Sequence, residues 1–228
     1  MAIHPVAVSP VLLVLSLLSS ATAQAALVGR MADDDGRYQA VYDSDLDITW
    51  LADANYAATS GFDADGLMKW TNVQDWIATL NRVSHLGAAD WRLPLSDGCS
   101  GYDCVGSELG HLFYTEFGGV AGHGEPMPPL ADADLALFSG IPVGGFWSAT
   151  EYSPDAAWVF EFGAYDVGRQ IYFPKDVKFH AWAVRSGDIG AGPALTLSSA
   201  LAVPLPASLG LFGAGLLGLL GVARTRIV

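Results

Sequence analysis

Trp70-Thr71-Asn72-Val73-Gln74-Asp75-Trp76-Ile77-Ala78-Thr79-Leu80 places its large apolar residues at 70, 73, 76, 77 and 80. That spacing follows the 3.6-residue period of a helix with one buried face, and it predicts a helix here. Thr71 and Gln74 are spaced as in a capping box, and Gly87 is placed to stop the helix. On the N-terminal side the period changes to two. Tyr42, Leu46, Ile48 and Trp50 fall on one side of an extended stretch and Asp43, Asp45 and Asp47 on the other, which predicts a half-buried strand or hairpin with one wet face. On the C-terminal side a second, shorter helix is expected from Glu108 to Glu116. Ser107 is its N-cap, Leu109, Leu112 and Phe113 face inward, and Gly118-Gly119 end it. Strand-like runs follow at 146–150, at Trp158, Phe160 and Phe162 alternating with Val159 and Glu161, and at 167–173 and 179–184. Two helices followed by an antiparallel meander imply an α+β domain. The Gly- and Pro-containing stretch 118–145 reads as a long loop of the kind that often carries a binding site.

The two ends of the 228-residue chain have a different character. Val6 to Leu18 is apolar and followed by Ala21-Thr22-Ala23 and Ala23-Gln24-Ala25, which predicts a secretory signal peptide over 1–25. At the other end Val203-Pro204-Leu205-Pro206-Ala207 leads into an uncharged run closed by Arg224-Thr225-Arg226. Residues 206–223 would make a helix of about 27 Å, close to the roughly 30 Å of a hydrocarbon core. The two arginines would hold its end in the cytoplasm. Gly210, Gly213, Gly215, Gly218 and Gly221 would each cost about 1 kcal/mol in an aqueous helix but are ordinary in a membrane one. A Pro-bearing motif, a Gly/Leu-rich span and a basic end resemble the PEP-CTERM class of sorting signals, in the variant named VPLPA-CTERM. The resemblance implies an exosortase as processing partner, a membrane-anchored precursor, and a cell-surface or secreted product in a Gram-negative bacterium. Residues 189–202, without charge, read as a flexible linker, which leaves 27–188 as the globular domain.

That domain holds all 24 acidic residues and nine of the 11 basic ones, a net charge of −15. Phosphate backbones and anionic lipid surfaces would be repelled, so nucleic acid is excluded as a partner. Cys99 and Cys104, the only cysteines, read as a disulfide closing the loop 100–103 in an exported chain. A zinc site needs more ligands than this pair, and His111 is the nearest helper. Acidic turns at Asp33-Asp34-Asp35-Gly36, Asp43/Asp45/Asp47 and Asp63-Ala64-Asp65-Gly66 make Asp43, Asp45, Asp63 and Asp65 calcium candidates. None completes an EF-hand loop, and solvated turns explain the same residues. His111 and His123 could face a common loop. No G-x-S-x-G, H-E-x-x-H or P-loop motif is present, and no catalytic residue, enzyme activity or cofactor is expected.

Trp91-Arg92-Leu93-Pro94, Ser107-Glu108-Leu109, Phe146-Trp147-Ser148-Ala149-Thr150, Ala157-Trp158 and Ala183-Val184-Arg185 follow one another in order, after an opening Thr49-Trp50-Leu51-Ala52-Asp53-Ala54-Asn55-Tyr56. This set resembles the Lcl C-terminal family over about residues 42–187. The resemblance implies a C-type-lectin-like architecture and a surface binding or adhesion module, and it supplies no substrate. Extracellular polysaccharide or another surface component is the ligand class expected for a domain displayed outside the cell. Its motif residues have a structural expectation beside the functional one: indoles fill the core, and Arg92 pairs with a buried carboxylate or caps carbonyls. The alternatives are a structural matrix protein that needs no ligand, or an extracytoplasmic hydrolase or oxidase.

Overall fold

The computed structural model describes residues 27–123, 132–163 and 166–190. The signal peptide, sorting motif and 206–223 helix expected from the sequence lie outside these residues, as does all of the linker beyond Gly190. Among the described residues no helix is long and apolar enough to cross a membrane.

Two antiparallel sheets frame the core. The first has the order β1 (Leu27–Ala32), β2 (Tyr38–Asp43), β3 (Ile48–Leu51) and β11 (Val184–Ser186). Val184 pairs with Trp50, so the two ends of the domain meet in one sheet. The second contains β6 (Gly145–Ser153), β7 (Ala156–Glu161) and β9 (Gln170–Pro174), in the order β6-β7-β9. Two-residue strands lock the periphery: β4 (Met68–Lys69) on β10 (Lys178–Phe179), and β5 (Gly122–His123) on β8 (Asp166–Val167). The long helix α2 (Trp70–Arg82) and the one-turn helices α1 (Tyr56–Thr59), α3 (Glu108–His111) and α4 (Asp132–Leu135) give the α+β class expected.

The predicted helix forms with Val73, Trp76, Ile77 and Leu80 buried. Its capping box does not. The helix begins at Trp70, two residues early, because β4 runs straight into it and the Trp70 N–H finds the Lys175 carbonyl at 3.1 Å. A backbone acceptor does what the Thr71 side chain was expected to do. Gly87 does not stop the helix either; Val83 is the C-cap, and the turn is made by Ser84 at φ 49°. The second helix starts as expected, with the Ser107 Oγ accepting from the Gly110 N–H at 3.0 Å. From Leu112 to Glu116 it continues as a π turn, and the Phe117 N–H reaches the Leu112 carbonyl at 3.0 Å.

The acidic hairpin is the clearest departure. Asp43 is fully buried, opposite Ile48, while Asp45 and Asp47 are exposed. The turn at 44–47 breaks the period of two, and Asp47 takes φ 51°, so positions after Asp43 are re-phased. In the last third the expected runs are shorter than predicted. The 167–173 run is cut by Gly168 at φ 81°, and 179–184 divides between β10 and β11. Burial on both faces of β7 explains why Trp158 and Val159 are equally hidden despite pointing opposite ways. The 118–145 stretch contains β5 and α4, with 124–131 outside the described residues.

The core is aromatic. Trp50, Trp76, Trp91, Trp147 and Trp182 are all buried with Phe113, Phe117, Phe146, Phe160 and Phe162. Rings meet edge to face, as at Trp50–Trp182 (5.3 Å) and Phe113–Phe162 (5.6 Å), the arrangement favoured by their quadrupoles. Three buried indole N–H groups donate to carbonyls: Trp147 to Met68, Trp182 to Leu51 and Trp91 to His85. The indoles thereby tie the core to β4, to the end of β3 and to the turn after α2.

Candidate functional site

The family-type motifs come together as a bracket. Arg92 donates to both carboxylate oxygens of Glu108 at 2.7 Å and to the Leu93 carbonyl at 3.0 Å. One of those oxygens also accepts from the Leu95 N–H at 2.8 Å, so the carboxylate holds the strand-like stretch 92–95 against the start of α3. The Ser148 hydroxyl donates to the Pro94 carbonyl, and Thr150 exchanges two bonds with Ser96. The Arg92 backbone pairs with Val184, and the Arg185 guanidinium holds Asp90 at 2.8 and 3.1 Å. These residues join the two sheets through the 90–96 segment. The pairing of Arg92 with a carboxylate follows the sequence expectation, and the partner is itself a motif residue.

The opening motif builds a cleft. Its lining includes Asp33, Arg37, Tyr38, Asp53, Tyr56 and His85, enclosing about 200 Å³. A second hollow continues it, from Gly36–Tyr38 across to Ala136–Ser139. Each wall has a local cause. The β1–β2 turn is held by Asp33 Oδ1, which accepts from the N–H groups of Asp35 and Arg37, while Gly36 supplies φ 78°. The turn into α1 is held by Asp53 Oδ1, accepting from the Asn55 N–H at 2.9 Å. Ser139 is stitched to the same turn, its N–H donating to Ala52 and its carbonyl accepting from Ala54. Ser84 and Leu86, both with φ near +50°, bracket His85 and lay its ring on Tyr56 at 4.6 Å.

Burial pushes the His85 imidazole down and the Tyr56 phenol up, so both stay neutral near pH 7. The cleft therefore presents neutral rings beside two carboxylates and one guanidinium. Such a lining can stack on the apolar face of a sugar ring while hydrogen-bonding its hydroxyls. Sequence reasoning quoted Asp53 and Tyr56 as motif residues but did not assemble them with Arg37, Tyr38 or His85.

A second exposed feature lies on the outer face of the β6-β7-β9 sheet. Tyr152 and Tyr172 stack in parallel at 3.6 Å, and both meet Trp158 edge-on. Trp158 is thus capped from outside, while the two tyrosines remain 51% and 41% exposed.

The calcium candidates do not converge. Asp63 Oδ1 accepts from the N–H groups of Asp65 and Gly66, and Asp65 Oδ1 from Leu67, a bond that lowers the Asp65 pKa. They close their own turn. Asp43 Oδ1 closes another, accepting from Asp45 and Leu46. Asp43 alone points into the protein, beside His111 and Glu116; Glu116 was not among the residues singled out from the sequence. Cys99 and Cys104 form the expected disulfide, with Cα atoms 5.6 Å apart. The Gln170 side chain donates to the Cys99 carbonyl at 2.6 Å and fastens that loop to β9.

Two antiparallel sheets, one of them shared by the first and last strands, with an indole-rich core and an Arg–Glu bracket define an α+β domain with a shallow mixed cleft. The chain belongs to the Lcl C-terminal domain family, whose profile matches residues 39–185. The match runs from β2 into β11, taking in the bracket and most of the cleft, with Asp33, Arg37 and Tyr38 just ahead of it. No curated protein matches the chain significantly.

Proposed function

We propose that this chain is an exported surface protein, sorted by an exosortase, whose domain is a non-catalytic binding or adhesion module for extracellular polysaccharide. The observation that carries the binding reading is the cleft, with tyrosine and imidazole rings beside Asp33, Asp53 and Arg37. The charge of −15 over the domain narrows the ligand to neutral or amino-bearing glycans, because sulfated or phosphorylated chains would be repelled. Export is supported by the signal-like N-terminus, the VPLPA-type tail and a disulfide, which persists in oxidising compartments. The C-type-lectin-like reading is supported by the shared sheet of first and last strands, with α2 and α3 set between them in sequence.

The test is a panel of neutral, amino-bearing and sulfated polysaccharides against the full-length chain in mild detergent. Tyr38→Ala and Arg37→Ala are expected to weaken binding to a neutral or amino-bearing glycan by about tenfold, or about 1.4 kcal/mol, without lowering the melting temperature. Binding to none of the panel, or only to the sulfated members, would sink the proposal. Export and sorting are checked by fractionating cells that express Pro204→Ala/Pro206→Ala, which should hold the uncut precursor in the inner membrane. A second reading, a structural matrix protein, is favoured by the exposed Tyr152–Tyr172 stack. It expects concentration-dependent self-association that Tyr172→Ala abolishes in sedimentation experiments.

A further inference from the structure

Asp43, His111 and Glu116 come together away from the cleft, each offering one ligand atom within 4.8 Å of the others. Asp43 comes from the end of β2 and is fully buried; His111 closes α3, and Glu116 closes the π turn, its side chain only 6% exposed. Two carboxylates and an imidazole, one fully buried and two partly so, form a costly arrangement unless something positive lies between them.

The π turn is what assembles the pair on the helix. Five residues along an ordinary α-helix would set His111 and Glu116 about 140° apart around the axis. The wider π turn brings them to the same side, with His111 Nε2 and Glu116 Oε1 3.0 Å apart. Such turns cost regular helix hydrogen bonding and are frequent at functional sites.

Asp43 supplies the independent observation. Its Oδ1 is occupied by two backbone N–H groups, but its Oδ2 is buried without a hydrogen-bond partner. The nearby Trp50 indole N–H, which faces the same carboxylate, is also outside hydrogen-bond geometry. A buried carboxylate oxygen left bare next to an imidazole and a second carboxylate needs an explanation in a folded protein.

The geometry points to a binding site for one divalent transition-metal ion, of the zinc type, held by Asp43 Oδ2, His111 and Glu116. The imidazole nitrogen selects this class over calcium, which takes six to eight oxygen ligands. Tetrahedral zinc with bonds of about 2.0–2.1 Å sets its ligands about 3.4 Å apart, so the widest pair needs to close by up to about 1.4 Å while the His111–Glu116 pair, now at 3.0 Å, opens slightly. The His111–Glu116 hydrogen bond is then exchanged for two metal–ligand bonds, and any proton between them is released. Three protein ligands leave a fourth position for water. The ion would pin the β2 end to α3 and the π turn, joining the first sheet to the segment fixed by the Arg92–Glu108 bracket. This site is independent of the glycan reading.

The test uses the untagged full-length chain in mild detergent, stripped with chelator and then offered zinc, manganese or calcium. Metal retained after gel filtration and the melting temperature are read together. About one zinc per chain should be retained, with a rise in melting temperature that calcium does not reproduce. His111→Ala and Glu116→Gln should weaken zinc affinity by more than about tenfold and abolish that rise. Their metal-free melting temperatures report folding separately. Asp43→Asn is a third variant, because its amide oxygen can keep the turn while the charge is lost. Failure of the wild-type chain to retain zinc overturns the proposal. So does retention unchanged in His111→Ala and Glu116→Gln, or stronger binding of calcium.

Discussion

Glu161 sits at the end of β7, opposite Gly145, where its side chain is half-buried. Burial and the Asp166 carboxylate push its pKa up to about 7, with Arg169 partly offsetting them. In an unfolded chain the same group titrates near about 4.3. An acid raised in this way contributes stability that is complete below its unfolded pKa and lost as pH rises through its folded one. Ionising Glu161 therefore costs roughly 3–4 kcal/mol between about pH 4.3 and pH 7. Glu161→Gln should melt above the wild type at pH 8, with the gap closing near pH 4. Parallel pH profiles for the two proteins would refute the assignment. At this scale the sequence was informative where a residue's type limits its surroundings. Trp91, Trp147 and Arg92 behave as indoles and a guanidinium must inside a protein, buried or paired. It misjudged Asp43, because a carboxylate in an alternating run looks wet until its neighbours are known.

The short helix from Ser107 is held from below by contacts of very close fit. A methyl group on Gly110 would collide with the Cys104 carbonyl oxygen and meet the Ser107 hydroxyl at 2.7 Å. Neither can retreat, since Ser107 Oγ donates to that carbonyl and caps the Gly110 N–H. Gly110→Ala should cost about 3 kcal/mol or more, read from the urea midpoint. A loss under about 1 kcal/mol would mean that the disulfide loop can shift away. Elements as a class divide cleanly in how readable they were. The α2 helix spans over three turns and its period is visible in the chain. β4, β5, β8 and β10 have two residues each, too few to show any period, and exist because a distant strand pairs with them. The π turn was hidden for the same reason, since its residues have the composition of an α-helix.

The whole domain carries an excess of 15 negative charges, so self-repulsion opposes its compact state. Salt shortens the Debye length from about 30 Å at 0.01 M to about 8 Å at 0.15 M and screens that repulsion. The melting temperature should therefore rise by about 2–4 °C between those conditions, in sodium chloride as in potassium chloride. A fall would mean that the ion pairs Arg30–Asp188, Arg92–Glu108 and Arg185–Asp90 outweigh the net charge.

The sequence alone determined the α+β class, the long helix, the N-cap at Ser107, the cysteine pairing and the family. Each depends on residues near one another along the chain, or on a motif order that the chain itself displays. Only the tertiary structure decided that β11 closes on β3, that Tyr38 and Arg37 meet Tyr56 and His85, and that Asp43 turns toward His111 and Glu116. Those meetings join residues far apart in sequence. They are fixed by which surfaces the packed core leaves together, and no local period records that.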